Sequence, residues 1–364
     1  MKKSLFVLLA IAAMALNGQA TIRTVNQFGT AQFSTVQAAI TAAVTGDTVL
    51  VAPGTYFDSP SVSTKSLTII GAGWDLTTID GGGSPCWSVS GVQSLGSVFE
   101  GMDNTSSGVV ISNSTNGDSV TFRRCRMRST GNIIVSAVNG KRLYLEDCLL
   151  TSAVNGSLIN VPTATNATLF VKGCILGFTG GAQSSTTYFN GANGSPVEIT
   201  NCTFVSVRRP FDLTGAQPVI AINNIFYDWT GTPTWGTFLA GSVFDYNASD
   251  ATAPAIPGTF TNHILLGAND PFVTYDEALN YVHGTSDLHL NGGTGGLALT
   301  NAGHPLILDV DGSRSDVGAY GGPRPLVDNG IPAFPFVTSL TVPNLIESGD
   351  NLNVNSTGRV GPRY

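Results

Sequence analysis

Charge is scarce in this sequence. Only 11% of its 364 residues are Asp, Glu, Lys or Arg, against about 25% in ordinary soluble domains. Because 42% are hydrophobic, the composition excludes intrinsic disorder, which needs the opposite balance. Basic residues are the scarcer sign, 17 against 24 acidic. A net charge of −7 argues against a nucleic-acid partner. Long apolar runs are missing too. The longest, residues 4–16, falls short of the roughly 20 that a membrane-spanning helix needs, so no membrane insertion is expected. Cysteine is limited to five, with no Cys-x-x-Cys pair or neighbouring histidine cluster, which excludes the usual zinc sites. What is abundant is glycine, 43 residues, with many Thr, Ser and Asn. That combination points to an all-β protein of short strands and tight turns.

The first twenty residues read as a signal peptide. Met1-Lys2-Lys3 is a short positive start, residues 4–16 are apolar, and Gly18-Gln19-Ala20 offers small residues before Thr21. This three-part pattern implies export, so the expected location is secreted, extracellular or cell-surface, and residues 1–20 stand apart from the fold.

Residues 33–44 show helical spacing, with Ser34 or Thr35 as the N-cap. Thr48 to Ala52 then reads as a strand bounded by turns, and helical periodicity vanishes. Between residues 120 and 227 an internal repeat appears. Val120-Thr-Phe-Arg-Arg-Cys125-Arg-Met aligns with Leu143-Tyr-Leu-Glu-Asp-Cys148-Leu-Leu. Copies follow around Cys174 and Cys202, and a fifth has Asn224 in the cysteine column. The column before it holds Arg124, Asp147, Gly173, Asn201 and Asn223, mostly types that tolerate a left-handed bend. Each copy therefore reads as strand, one-residue bend, strand, loop, strand. Stacked circuits of this kind form a parallel β-helix, edged only at its ends, with the N-terminal helix capping one of them.

The stretch from Phe33-Ser-Thr-Val-Gln-Ala-Ala-Ile to Pro53-Gly-Thr-Tyr56 resembles the cap and first rung of secreted right-handed parallel β-helix proteins of the pectin-lyase-like superfamily. Asn201-Cys-Thr-Phe204 and Asn223-Asn-Ile-Phe226 are similar to its bend motif. The segment from Gly303 to Gly322 resembles the closing segment of many such bacterial surface proteins. The resemblance implies an all-β right-handed parallel β-helix with a short N-terminal capping helix. The domain reading is then a signal peptide over 1–20, the β-helix with its cap over 21–325, and a Pro-rich linker with a short β tail over 326–364. The tail either begins a small β module or lies along the β-helix.

The resemblance covers lyases, hydrolases, esterases and non-catalytic adhesins. The catalytic motifs of pectin methylesterases and polygalacturonases are absent. Arg208-Arg209-Pro210-Phe211-Asp212 partly matches the Arg-x-Pro-x-x-Arg motif of pectate lyases, with Leu213 in place of the second Arg. The favoured function is non-catalytic binding of extracellular, anionic polysaccharide, or a surface and adhesion role. The alternative is a polysaccharide lyase cleaving uronate polymers by Ca²⁺-assisted β-elimination, with Arg208 or Arg209 as base and Asp212 beside them.

Further candidates come from the residues themselves. Tyr188, Tyr227, Trp229 and Trp235 are candidate sugar-stacking aromatics. Asp309, Asp311, Ser313 and Asp316 resemble a short calcium loop, oxygens alternating around Gly312 but without the Glu that completes an EF-hand. The alternative is a hydrogen-bonded turn closing the last rung. Residues 120–209 carry nine basic side chains against three acidic, whereas 210–313 carry ten acidic and none basic. The middle rungs thus offer attraction for a polyanion, unless Arg123, Glu146 and Lys172 form a surface ladder. Four cysteines in one inward column suggest buried thiols, stacked disulfides being the alternative. Leu149, Ile175 and Ile225 form an apolar outward column, which calls for a cover.

Overall fold

The computed structural model describes residues 20–90, 96–106, 108–111, 119–129, 133–135, 142–153, 156–161, 168–179, 187–191, 196–213, 218–230, 234–250, 259–342, 349 and 351–361. Most of the expected signal peptide, residues 1–19, lies outside them.

Three parallel sheets wind around one core. Among the described residues, sheet A has 11 strands, sheet B 10 and sheet C 8. One circuit runs through Val197–Thr200 in A, Thr203–Val207 in B and Arg209–Leu213 in C. Successive circuits pair in register, as Val197↔Val219, Thr203↔Ile225 and Phe211↔Gly236. The molecule is a right-handed parallel β-helix, the handedness that twisted strands favour in parallel crossovers.

The bend column forms as the repeat predicts. Arg124, Asp147, Gly173, Asn201 and Asn223 have φ between +51° and +60°, and Tyr246 and Asn262 extend the series. Helix α1 (Val36–Ala42) closes the N-terminal end, with Val36, Ala39 and Ile40 buried against the first coils. The Thr35 hydroxyl accepts from the Ala38 amide, and Lys65 Nζ donates to the Ile40 and Thr41 carbonyls at the other end. Both ends of a helix too short to be stable alone are thus satisfied.

Inside, like stacks on like. Phe99 lies on Phe122 and Phe204 on Phe226, each pair 4.7 Å apart. All five cysteines are buried, free thiols. The amide of Cys148 donates to Cys174 Sγ and that of Cys174 to Cys202 Sγ. The column then continues in asparagine: Cys202 N donates to Asn224 Oδ1, and Asn224 Nδ2 to Asn247 Oδ1. Burial raises the Cys125, Cys148 and Cys174 thiols well above the ordinary range and pushes Cys86 up to about 12. Five thiols are therefore expected to titrate under denaturant without reductant, and almost none in the native protein. Fewer than four in denaturant would contradict the free-thiol column.

The charge ladder is less superficial than expected. Glu100, Arg123, Glu146 and Lys172 pair in register. Glu100 is buried and holds both Arg123, at 2.7 Å, and Arg124, at 3.0 Å. Arg128 is bound to Asp103. Several charges of the basic middle are thus neutralised by acids of the preceding rung, which a count over residues 120–209 omits.

The coil ends earlier than the 21–325 reading implies. Its last described strand is Ile264–Leu265. The chain then turns back as a strap along the outside of sheet B. Leu266, Phe272, Tyr281, Leu288, Leu299, Val317, Ala319 and Leu326 cover Leu149, Ile175, Val205 and Ile225. The apolar outward column is thus covered by the protein's own chain. Gly303 to Gly322, expected to close the last rung, instead follows the bend column. The Gly318 amide donates to the Asn223 carbonyl, and Asn201 Nδ2 to Ser315 Oγ and the Asp316 carbonyl. Those asparagines hold their amides outward, where they are satisfied by the strap and by each other. The tail forms an antiparallel hairpin, Phe336–Thr341 with Asn355–Arg359. It packs Phe336 on Ile70 and Ala72 and binds Asp75 through Arg359. It is both a small β module and a layer along the β-helix.

Candidate carbohydrate-binding cleft

The outward column of sheet B explains where a cleft forms. In register it reads Thr78, Asp103, Arg126, Leu149, Ile175, Thr203 and Ile225. The strap covers its apolar half. At the boundary with the polar half lies a cavity of about 290 Å³.

Leu149 and Ile175 line its floor, and Trp74, Tyr281 and Tyr320 bring aromatic rings to its walls. Gly177 admits Tyr281: a Cβ there would stand 3.2 Å from that of Tyr281. Thr179 and Asn280 form an antiparallel bridge, and the Tyr281 amide donates to the Phe178 carbonyl. The strap is therefore anchored by backbone beside the cavity.

The polar lining is connected. His289 Nδ1 lies 2.7 Å from Asp287 Oδ1, and its ring stacks on Tyr320 with centroids 3.6 Å apart. The Tyr320 hydroxyl donates to Asp328 Oδ1 at 3.1 Å. Burial, with the Asp328 carboxylate beside it, raises the Tyr320 phenol well above its ordinary range. Burial also pushes the Tyr281 phenol up to about 12. Desolvation, together with the Arg126 charge, lowers the His283 pKa. Two groups at this boundary are unsatisfied among the described residues, the buried indole Nε1 of Trp74 and the Nε of Arg126. Arg126 is half-buried, and desolvation lowers its pKa.

None of the candidate catalytic, sugar-stacking or calcium residues lines this cleft, although Leu149 and Ile175 of the apolar outward column form its floor. Arg209 and Asp212 lie together on sheet C, ion-paired at 3.3 Å, so the candidate base is held by the acid named with it. Arg208 is half-buried just before that strand. The aromatic platform requires correction. Tyr188, Tyr227, Trp229 and Trp235 are 0–7% exposed, Tyr227 beneath the strap and the other three in the coil interior. Trp229 and Trp235 meet edge to face at 4.7 Å, and Trp229 Nε1 donates to the Phe226 carbonyl. The Tyr188 hydroxyl donates to the Val205 carbonyl, and that of Tyr227 to Glu277. Rings whose polar atoms are satisfied internally belong to the core and its cover.

The calcium loop is a hydrogen-bonded turn. Asp309 accepts from the amides of Asp316 and Gly322, Asp311 from Ser313, and Asp316 from Asn301. These carboxylates each cap backbone donors and do not converge. No group of three or more His, Cys, Asp or Glu placed to hold a metal occurs among the described residues. Among the described residues, this turn therefore does not gather the carboxylates that Ca²⁺ needs.

The cleft's own residues left weak signals in sequence. Asp287-Leu-His289 alternates as a strand does, placing carboxylate and imidazole on one face. Nothing local, however, brings either residue to Leu149.

No family model and no curated protein sequence matches the chain. Among solved structures, pectate lyase Pel9A is 15% identical, with a TM-score of 0.49, covering 84% of this chain and 97% of its own. A pectin methylesterase from Aspergillus niger is 14% identical, with a TM-score of 0.43, covering 77% and 96%. Pectin methylesterase from carrot is 12% identical, with a TM-score of 0.41, covering 70% and 84%. The likeness is one of fold. The chain is a right-handed parallel β-helix. Among the described residues of this β-helix, no helix is long and apolar enough to cross a membrane.

Proposed function

We propose that this β-helix binds extracellular polysaccharide in the cleft beneath its strap, without cleaving it. The observation that carries the reading is the cavity where Trp74, Tyr281 and Tyr320 border the linked, exposed side chains of His289, Asp287 and Asp328. Sugar rings offer apolar faces for stacking and hydroxyls for such donors and acceptors. The extracellular location rests on the expected signal peptide at 1–20.

A second reading has one specific observation in its favour. Arg126 flanks Leu149 in register, its Nε has no partner among the described residues, and desolvation makes it easier to deprotonate. Lyase chemistry on a uronate needs such a base to take the proton alpha to the carboxylate. Arg126 is better placed beside the cleft for this role than Arg208 or Arg209.

One experiment addresses both. Calorimetric titration with pectate, alginate and a neutral glucan is expected to show binding that weakens ten- to a hundredfold in His289→Ala and Tyr281→Ala. Unchanged affinity in both would overturn the cleft. Rising ultraviolet absorbance from an unsaturated product, lost in Arg126→Ala, would replace binding by lysis. A flat trace removes the lyase.

A further inference from the structure

Across the strap from the cleft lies a second, larger cavity of about 510 Å³. Tyr320 and Leu326 line the cleft, whereas Gly321, Pro323 and Arg324 line this one. Its floor is the bend column. Asn201 and Asn223 spend their side-chain amides on the strap or on each other, and Arg124 is bound to Glu100. Asp147 differs. It is 1% exposed, yet neither carboxylate oxygen has a hydrogen-bond partner among the described residues. Buried carboxylates are almost always bonded, and an exception requires a reason.

Asp147 stands in the wall of the cavity. The next bend position is Gly173, where a Cβ would come within 2.7 Å of Asp147 Oδ1 and 2.9 Å of the Arg324 carbonyl. Any side chain there would press on the carboxylate and on the strap. Glu146 and Arg324 form an ion pair at 3.1 Å, with Lys172 on the next strand. Arg124, Arg324 and Arg123 pull the carboxyl's pKa down and Glu146 pushes it up, so both signs of charge surround it. Asp147 needs donors, while Arg324 and Lys172 offer donors of their own to acceptor oxygens.

We propose that this cavity is a second ligand site, taking a hydroxylated molecule of the monosaccharide or polyol class whose hydroxyls donate to the Asp147 carboxylate. Arg324 and Lys172 meet its acceptor oxygens, and Ile307 and Pro323 supply an apolar wall. The cavity falls within the size range of small-molecule sites. The unmet burial pushes the Asp147 carboxyl up to about 7, more than Arg124 pulls it down. Donors from a bound ligand would lower it again.

The test is calorimetric titration of the full chain with D-glucose, D-galactose, D-galacturonate and myo-inositol at millimolar concentrations. At least one is expected to bind, with affinity reduced tenfold or more in Asp147→Asn and unchanged in His289→Ala. Carbon-13 detection of the carboxyl should show its pKa fall on binding. No heat with any of the four overturns the site, as does unchanged affinity in Asp147→Asn. Binding that falls with His289→Ala belongs to the cleft and overturns it equally. Should Asp147→Asn not fold, Lys172→Ala and Arg324→Ala decide, with unchanged binding in both overturning the proposal.

Discussion

Phe204→Ala is expected to lower the unfolding free energy by roughly 3–5 kcal/mol, the range for removing a fully buried aromatic ring. Phe204 is 0% exposed and stacks on Phe226 at 4.7 Å. It also meets Tyr188 edge-on at 5.1 Å and Phe189 at 6.1 Å. The void would therefore open between two rungs, where neither backbone can collapse without breaking the ladder Phe204↔Phe226. In a solenoid each rung is stabilised by its neighbours, so the loss is shared by both. Denaturant titration should show a lower midpoint, with Phe204→Leu losing distinctly less. Equal losses for the two variants would mean that the ring stack contributes little beyond its area.

The opposite sign is expected for Asp147→Asn. The folded pKa of Asp147 is raised from the ordinary 3.8 to about 7, chiefly by burial. Between about pH 4 and 7 the folded state therefore holds a proton that the unfolded chain has lost. Stability is then fullest below pH 4 and declines as pH rises to about 7, by about 1.4 kcal/mol per unit. Above pH 7 the accumulated penalty is roughly 4 kcal/mol. Asn removes the charge and accepts the left-handed backbone, as Asn201 and Asn223 do in the same column. The variant should melt higher than the parent at pH 8 and nearly equally at pH 4. His263 runs the other way: burial lowers it to about 4, so its contribution is lost as pH falls from about 6.5 toward 4. The difference between variant and parent isolates Asp147. A constant difference across pH would mean that the carboxyl titrates normally. A stabilising substitution that abolishes ligand binding would mark Asp147 as retained for function at the expense of stability.

The coil was legible in sequence because its information is local and repeated. Arg124, Asp147, Gly173, Asn201 and Asn223 precede a small inward residue at every turn, and each adopts the left-handed bend that the repeat requires. Even the outward columns could be read, since Tyr144 stacks on Phe170 at 4.7 Å and Leu149 pairs with Ile175. The aromatic cluster from Tyr227 to Trp235 misled, because the same rings serve a sugar platform or a core. Only their neighbours decide, and Phe226 and Phe244 enclose Trp235. The acidic run from Asp309 to Asp316 forms the hydrogen-bonded turn that the sequence also offered, since carboxylates that cap backbone amides occur at the spacing of a calcium loop.

The sequence by itself determined the repeat, the bends, the buried thiol column and the need for a cover over Leu149, Ile175 and Ile225. All of these follow from alternation and periodicity, which act within one circuit and between adjacent ones. Tertiary structure alone decided that the cover is the chain's own residues 266–330, that they run back along sheet B, and where they leave space. Those contacts join residues such as Arg324 and Glu146, 178 positions apart. At that separation no period links the partners, and the cleft and the Asp147 cavity exist only where the strap comes to lie.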